Sequence, residues 1–364
     1  MTRTARAAVY DAPNTPFVIR DIPLRDVKPD EVLVRVSMST ICRSDIHSYQ
    51  GLRPNPCPGI LGHEIIGVIE QLGGEISHDM RGDALSVDDR ITWTEYFHHG
   101  ESYYRDVHDM PQKSNGVRKY GHDLVETDPH LLGGFAEYCY VVPGTGILKL
   151  PDELSDEEAT PLNCGVATMI SVVEATQIEM GDVVAIQGLG LLGLFGCAMA
   201  KTRGARLVIG LDSVKDRLEV AKKFGADVVI DISGRSEDDI VGEVRNLAPP
   251  DGVDAVIEVC GVPDVVTAGL KMLRIGGRYT LGGIVTPEAN VTVDANILVK
   301  NWITLRGIHN YHPRHLIRAL DFVVDNRERF PFKVIVDSTF KLDDLNEAFK
   351  RASERSVLRA AVVP

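Results

Sequence analysis

The sequence predicts an α/β protein of two domains, one β-rich and one built on a doubly wound parallel sheet. Two patterns carry this. Up to about residue 165, short alternating or apolar runs are broken by glycine and proline; from about residue 182, apolar strand-like runs alternate with helical stretches. Strands alternating with helices imply a parallel sheet covered on both faces. Length agrees: 364 residues suit two domains at roughly 150 residues each.

The elements follow in order. Residues 31–37 alternate apolar and polar, as a half-buried strand does. Residues 64–72 form another apolar strand-like run, and Pro54, Pro56 and Pro58 hold the segment between them extended. In the second region, residues 183–186 read as a strand, 191–203 as a helix and 206–211 as a strand. Residues 213–224 read as an amphipathic helix closed by Gly225. Strands at 227–230, 254–258 and 278–281 follow, with a helix at 262–273. Helical stretches at 315–326 and 343–351 precede a final apolar strand. The β-rich domain is assigned residues 1–165 and 308–364, and the parallel-sheet domain 166–307.

Composition narrows the function. A net charge of −13 argues against nucleic acid or anionic membrane as partners. Residues 1–12 carry basic side chains with no apolar core behind them, so no secretory signal is expected. The apolar run 183–200 is long enough to resemble a membrane span. It contains Gln187, Gly188, Gly190, Gly193 and Gly196, which fit a strand, a tight turn and a buried helix better. Six scattered cysteines do not read as a disulfide framework, and a cytoplasmic location is expected.

Gly188-Leu189-Gly190-Leu191-Leu192-Gly193 fits the G-x-G-x-x-G pattern, directly after one strand and opening a helix at Leu191. The first glycine permits the turn, the second lets backbone approach a pyrophosphate, and the third lets helix and strand pack closely. The helix N-terminus offers N–H groups to phosphate. Asp212, about 20 residues further on, is suited to accept bonds from ribose hydroxyls and to repel a 2′-phosphate, favouring NAD over NADP. Alternatively, it caps the helix starting at Ser213.

Cys42, His63 and Cys164 are candidate metal ligands, although none sits in a local C-x-x-C. Their surroundings, Cys42-Arg43-Ser44-Asp45-Ile46-His47, Gly62-His63-Glu64 and Asn163-Cys164-Gly165 followed by Thr168, resemble the zinc motifs of the medium-chain dehydrogenases. The resemblance covers nearly the whole chain. It implies a GroES-like catalytic domain, a Rossmann cofactor domain and zinc-dependent hydride transfer between an alcohol or carbonyl substrate and NAD. Two thiolates and one imidazole leave a fourth position open, as in catalytic zinc sites.

Residue by residue, the resemblance implies that Ser44 takes the proton of the zinc-bound alcohol and His47 passes it to solvent. Asp45 would orient His63, and Glu64 would lie beside the zinc as a passing ligand. Thr168 would contact the nicotinamide, Arg43 and Arg359 the pyrophosphate, and Arg217 the adenosine ribose with Asp212. It also implies an active site in the cleft between the domains. Pairing into a homodimer or homotetramer would run through the cofactor domain, which fits an apolar strand at 278–285 near a sheet edge.

The family pattern breaks in one lobe. Many relatives hold a structural zinc with four cysteines; the matching positions here are Gly100, Tyr103, Asp106 and Ser114, so that zinc is expected to be absent. A replacement site from His98, His99, Asp106 and His108 is the less favoured alternative to a polar loop. The segments 111–114, 119–122 and 132–139 resemble the branch associated with phosphonate catabolism. Lys119, Tyr120 and His122 are then candidates for a positive patch toward an anionic substrate; alternatively they brace the lobe. Two other function classes stand against the main one: a zinc-free quinone or enoyl reductase, and a non-catalytic protein retaining the fold.

Overall fold

The computed structural model describes residues 3–364; the first two positions of the expected 1–165 segment lie outside it. The chain divides into two units. One takes the residues up to Cys164 with His312–Asp325 and Phe332–Pro364, and the other takes Gly165–Tyr311 with Asn326–Pro331.

The first unit is built on a seven-stranded sheet. Its path runs Val336–Lys341, Arg359–Val363, Val32–Thr40, Glu64–Leu72, Arg90–Trp93 and Ile147–Lys149, with Tyr138–Val141 also paired to Val32–Thr40. The alternation expected over 31–37 is confined to its second half, where exposed Arg35 and half-buried Ser37 flank buried Val36; Glu31 to Val34 and Met38 to Thr40 are buried without a break. Its antiparallel register sets Val32 opposite Leu72 and Thr40 opposite Glu64, so the chain leaves the sheet at Cys42 close to where His63 enters it. Val34, Ile65, Ile69, Ile91, Trp93 and Tyr140 form the main core. Burying each such side chain contributes about 1.5–3 kcal/mol. In a second cluster the helix Leu345–Ser353 packs Phe349 on Phe17, ring centroids 4.6 Å apart.

The second unit is a parallel six-stranded sheet ordered Val228–Asp231, Leu207–Asp212, Val183–Gln187, Val253–Glu258, Leu273–Leu281, Thr304–Gly307. Numbered along the chain, that is 3-2-1-4-5-6, the doubly wound order that binds dinucleotides. The apolar run 183–200 resolves into Val183–Gln187, a turn and the helix Leu191–Thr202. Among the described residues no helix is long and apolar enough to cross a membrane.

Two expectations are corrected here. The strand expected near the edge at 278–285 ends at Leu281 and is covered by Thr304–Gly307, which is the true edge. That edge segment, Thr-Leu-Arg-Gly, is too short and polar to signal a strand by pattern. Ile308 N–H donates to the Leu281 carbonyl, and the second unit runs on to Tyr311, past the expected boundary at 307. The helix Glu237–Leu247 was also not anticipated; the Ser236 hydroxyl caps it by accepting from Asp239 N–H.

Candidate metal centre and dinucleotide turn

Cys42 ends the loop after Val32–Thr40 and caps the short helix Arg43–Tyr49. The Asp45 carboxylate fixes this corner. It accepts from Cys42 N–H at 2.8 Å, from Gly62 N–H at 3.1 Å and from His63 Nδ1 at 3.0 Å. One buried side chain thus ties the helix start to the His63 turn and assigns the imidazole proton to Nδ1. Against the effect of burial, Asp45 and Cys42 hold the His63 pKa well above the usual histidine value, so Nε2 is the nitrogen that gives up its proton when a metal binds. Cys164 arrives on a third segment, between Thr160–Asn163 and the helix Gly165–Thr176. The neighbouring Asn163 amide donates to the carbonyls of His63 and Trp93, at 3.0 and 2.9 Å, and so locks that segment onto the same sheet end.

These segments bring Cys42, His63 and Cys164 together, their ligand atoms all within 4.8 Å. The two sulfurs lie 4.0 Å apart; zinc–sulfur bonds in a tetrahedron would set them ~3.8 Å apart. The donor set therefore fits zinc, with two soft thiolates and an imidazole. Cys42 is the sulfur favoured as thiolate, chiefly by the Cys164 thiol donating to it and further by Arg359 and His63. Among the described residues this is the one group of three or more such side chains that could hold a metal.

Around the centre, Ser44 Oγ lies 3.2 Å from His63 Nε2. His47, one helical turn on, shares its face of the helix. Burial first, then Arg43, lowers its pKa, so the ring is neutral at pH 7. Glu64 is fully buried, with its carboxyl pushed up to about 8 mainly by burial. One of its oxygens accepts from the Thr40 hydroxyl and the other from Arg359 Nη2 at 2.8 Å. Arg359 is itself buried. It also donates to the Ile41 carbonyl, which leaves only Nε without a partner among the described residues. Its guanidinium is thus committed to hydrogen bonds with Glu64 and the Ile41 carbonyl. Arg43 is exposed at the helix start.

The positive patch does not form. Tyr120 is fully buried, its hydroxyl shared with Thr145 Oγ1 at 2.8 Å and accepting from Val142 N–H at 3.1 Å, so it braces the lobe. Lys119 Nζ donates to Glu95 at 3.1 Å. His122 is bonded to the Asn55 amide oxygen, and burial holds its pKa well below the usual histidine value, so it carries no charge. The replacement metal site does not assemble either. His98 Nδ1 is 3.1 Å from Arg105 Nη1, while the His99 ring packs edge-on to Phe97 and the His108 ring edge-on to Tyr103. Asp106 accepts from Ser102 N–H and Arg105.

The sequence reading missed Glu95, a buried carboxylate 3.8 Å from His63 Nε2. The signal was there, since it is the one charge in the otherwise uncharged run Ile91 to Phe97.

In the second unit the three turn glycines behave differently. Gly188 has φ +96°, and a Cβ there would meet Cys260 at 2.6 Å; a Cβ on Gly193 would lie 1.8 Å from the Gly188 carbonyl oxygen. Both are required by packing. A Cβ on Gly190 would meet nothing within 4 Å, so its bare backbone serves no packing need and suits close approach by a pyrophosphate. Asp212 ends its strand with Oδ2 accepting from Leu189 N–H at 2.7 Å and Oδ1 from Val214 N–H at 2.9 Å, while Arg217 Nη1 sits 4.0 Å away. Asp212 therefore braces the glycine turn itself, and the next helix starts at Lys215 rather than at Ser213. Thr168 is part-exposed on the helix Gly165–Thr176.

Comparison with known proteins agrees with both halves. Residues 28–152 match the alcohol dehydrogenase GroES-like domain and residues 192–325 the zinc-binding dehydrogenase domain. An L-threonine 3-dehydrogenase from Pyrococcus horikoshii is 34% identical over 78% of this chain and 77% of its own. A sorbitol dehydrogenase from Bacillus subtilis is 29% identical over 95% of this chain and 94% of its own. A crystal structure of an alcohol dehydrogenase from Thermotoga maritima superposes with a TM-score of 0.94 at 26% identity, covering 100% of both chains. With its Cys42, His63 and Cys164 centre and its 3-2-1-4-5-6 sheet, the chain belongs to the zinc-binding alcohol dehydrogenase family of the medium-chain dehydrogenase/reductase superfamily.

Proposed function

We propose that this oxidoreductase transfers hydride between an uncharged alcohol and NAD, using one zinc ion held by Cys42, His63 and Cys164. The observation that carries the reading is the convergence of those three donors with Asp45 fixing the His63 tautomer. Zinc bound there would supply a Lewis acid that lowers an alcohol's pKa, and NAD would supply the hydride acceptor. The chain's own residues do the rest. Ser44 Oγ, 3.2 Å from His63 Nε2, takes the alcohol's proton. Neutral His47 receives it and releases it to solvent. Glu64 and Arg359 hold a buried, hydrogen-bonded wall beside the ligands.

NAD is preferred to NADP because Asp212 would repel a 2′-phosphate. An uncharged alcohol is preferred to a phosphonate because Lys119 is paired and His122 neutral. The complete donor set counts against a zinc-free reductase, and the retained Ser44 and His47 count against a non-catalytic protein. Homo-oligomerisation through the second unit is supported by the exposed edge strand Thr304–Gly307 and by Trp302, which is 82% exposed beside it.

The test is metal analysis of purified protein together with NADH and NADPH formation on an alcohol panel. About one zinc per chain, lost in His63→Ala, with NADH formation is the expected result. A folded wild-type protein that binds no zinc would sink the reading.

A further inference from the structure

We propose that Glu95 and Lys119 read a second hydroxyl on the carbon next to the reacting one, making the substrate a vicinal diol or polyol. This rests on the metal-dependent alcohol chemistry assigned to the Cys42, His63 and Cys164 centre.

The two groups share one place. Glu95 follows the strand Arg90–Trp93, and its backbone carbonyl accepts from Tyr120 N–H at 3.0 Å, which joins it to the segment carrying Lys119. Its Oε1 accepts from Lys119 Nζ at 3.1 Å, and its Oε2 lies 3.8 Å from His63 Nε2. On that same nitrogen, Ser44 Oγ stands at 3.2 Å. Ser44 and Glu95 therefore both stand beside the nitrogen that would bind the metal, so a group held there has Glu95 as a near neighbour.

Burying such an ion pair is costly, and apolar side chains of like volume would commonly serve the fold as well or better. Glu95 also hydrogen-bonds the Cys164 side chain and so helps hold a ligand; that role does not account for the ammonium paired with it at the edge of the metal centre.

The pair's chemistry selects its ligand. A carboxylate only accepts and an ammonium only donates, whereas a hydroxyl does both. An alcohol hydroxyl can donate to Glu95 while accepting from Lys119. Taken singly, a phosphonate or carboxylate neighbour would meet the Glu95 charge, and an ammonium neighbour would meet Lys119. Neither leaves both protein groups satisfied.

The experiment compares 2,3-butanediol with 2-butanol on zinc-loaded protein, measuring Kd by calorimetry, and kcat and KM where turnover occurs. The wild type, Glu95→Gln and the double variant Glu95→Met/Lys119→Met are used, each with its zinc content determined. The double variant removes both charges together, so no lone buried ion is left to unfold the lobe.

The wild type is expected to favour the diol at least about tenfold in Kd and KM, and both variants to lose most of that preference while keeping their zinc. An unchanged diol preference in the variants overturns the proposal. So does loss of zinc in Glu95→Gln, which would make Glu95 a metal ligand instead. A wild type that binds zinc but shows no preference overturns this proposal alone; one that binds no zinc overturns the function reading as well.

Discussion

Replacing Asp45 by Asn tests whether one buried carboxylate organises the metal centre. The carboxylate accepts three bonds, from Cys42 N–H, Gly62 N–H and His63 Nδ1, at 2.8, 3.1 and 3.0 Å. Asn has nearly the same shape but only one accepting oxygen. If that oxygen stays on Gly62 and His63, the new NH2 faces the Cys42 N–H, and two donors are left opposed in a buried site. An unsatisfied buried donor costs about 1–3 kcal/mol, and bonds to a charged acceptor are worth about 1.5–3 kcal/mol each. The apo protein should therefore lose roughly 1–3 kcal/mol of stability by denaturant titration. Loss of a partner that orients a ligating histidine typically weakens metal binding about 10- to 100-fold. Zinc affinity by chelator competition should fall by that factor, with Asp45→Ala falling further. Zinc affinity within twofold of wild type together with apo stability within about 0.5 kcal/mol of it would refute the idea that Asp45 sets the ligand geometry.

The glycine turn offers a contrast. Gly190→Ala should leave apo stability within about 1 kcal/mol yet weaken dinucleotide binding at least about tenfold. Gly193→Ala, whose Cβ would sit 1.8 Å from the Gly188 oxygen, should destabilise the second unit itself, which thermal unfolding without cofactor would register. Tyr120→Phe should cost about 1–3 kcal/mol by leaving the Val142 N–H unpaired, with no change in KM; a raised KM for any alcohol would contradict the bracing role. His122 has its folded pKa lowered from 6.5, chiefly by burial, so the unfolded chain binds this proton more readily than the folded one. Its contribution to stability is therefore full above about pH 6.5 and lost as the pH falls below that. His122→Gln should flatten the decline in denaturation midpoint between about pH 7.5 and 5.5; an unchanged slope would show that other groups set it. Trp302→Glu should shift the sedimentation of an oligomer toward monomer, and an unaltered profile would place the interface elsewhere.

Elements with a strong local signature were legible in advance. The strand signal at 31–37, though its burial alternates only from Val34 onward, the apolar run at 183–186 and the glycine spacing 188–193 each reflect a short-range demand, one of pleat, burial or turn. The edge strand Thr304–Gly307 was not, because four residues of mixed polarity carry no apolar period and its neighbour holds it. The helix Glu237–Leu247 was readable but missed: Ser236 caps it, and Ile240, Val241, Val244 and Leu247 recur at helical spacing. The ligands were found through the residues around them, since Cys42, His63 and Cys164 are far apart in sequence and no spacing rule joins them.

The sequence by itself determined the two-domain organisation, the glycine turn and which three side chains were candidates to bind metal. The tertiary structure decided what each charged group faces. Arg359, expected at a pyrophosphate, is bound to Glu64; Lys119 and His122, expected to form a positive patch, are paired or neutral; and Glu95 is brought beside His63. The physical reason is that a buried charge takes its properties from partners within a few ångströms. Those partners come from strands and loops distant along the chain, so only the folded arrangement specifies them.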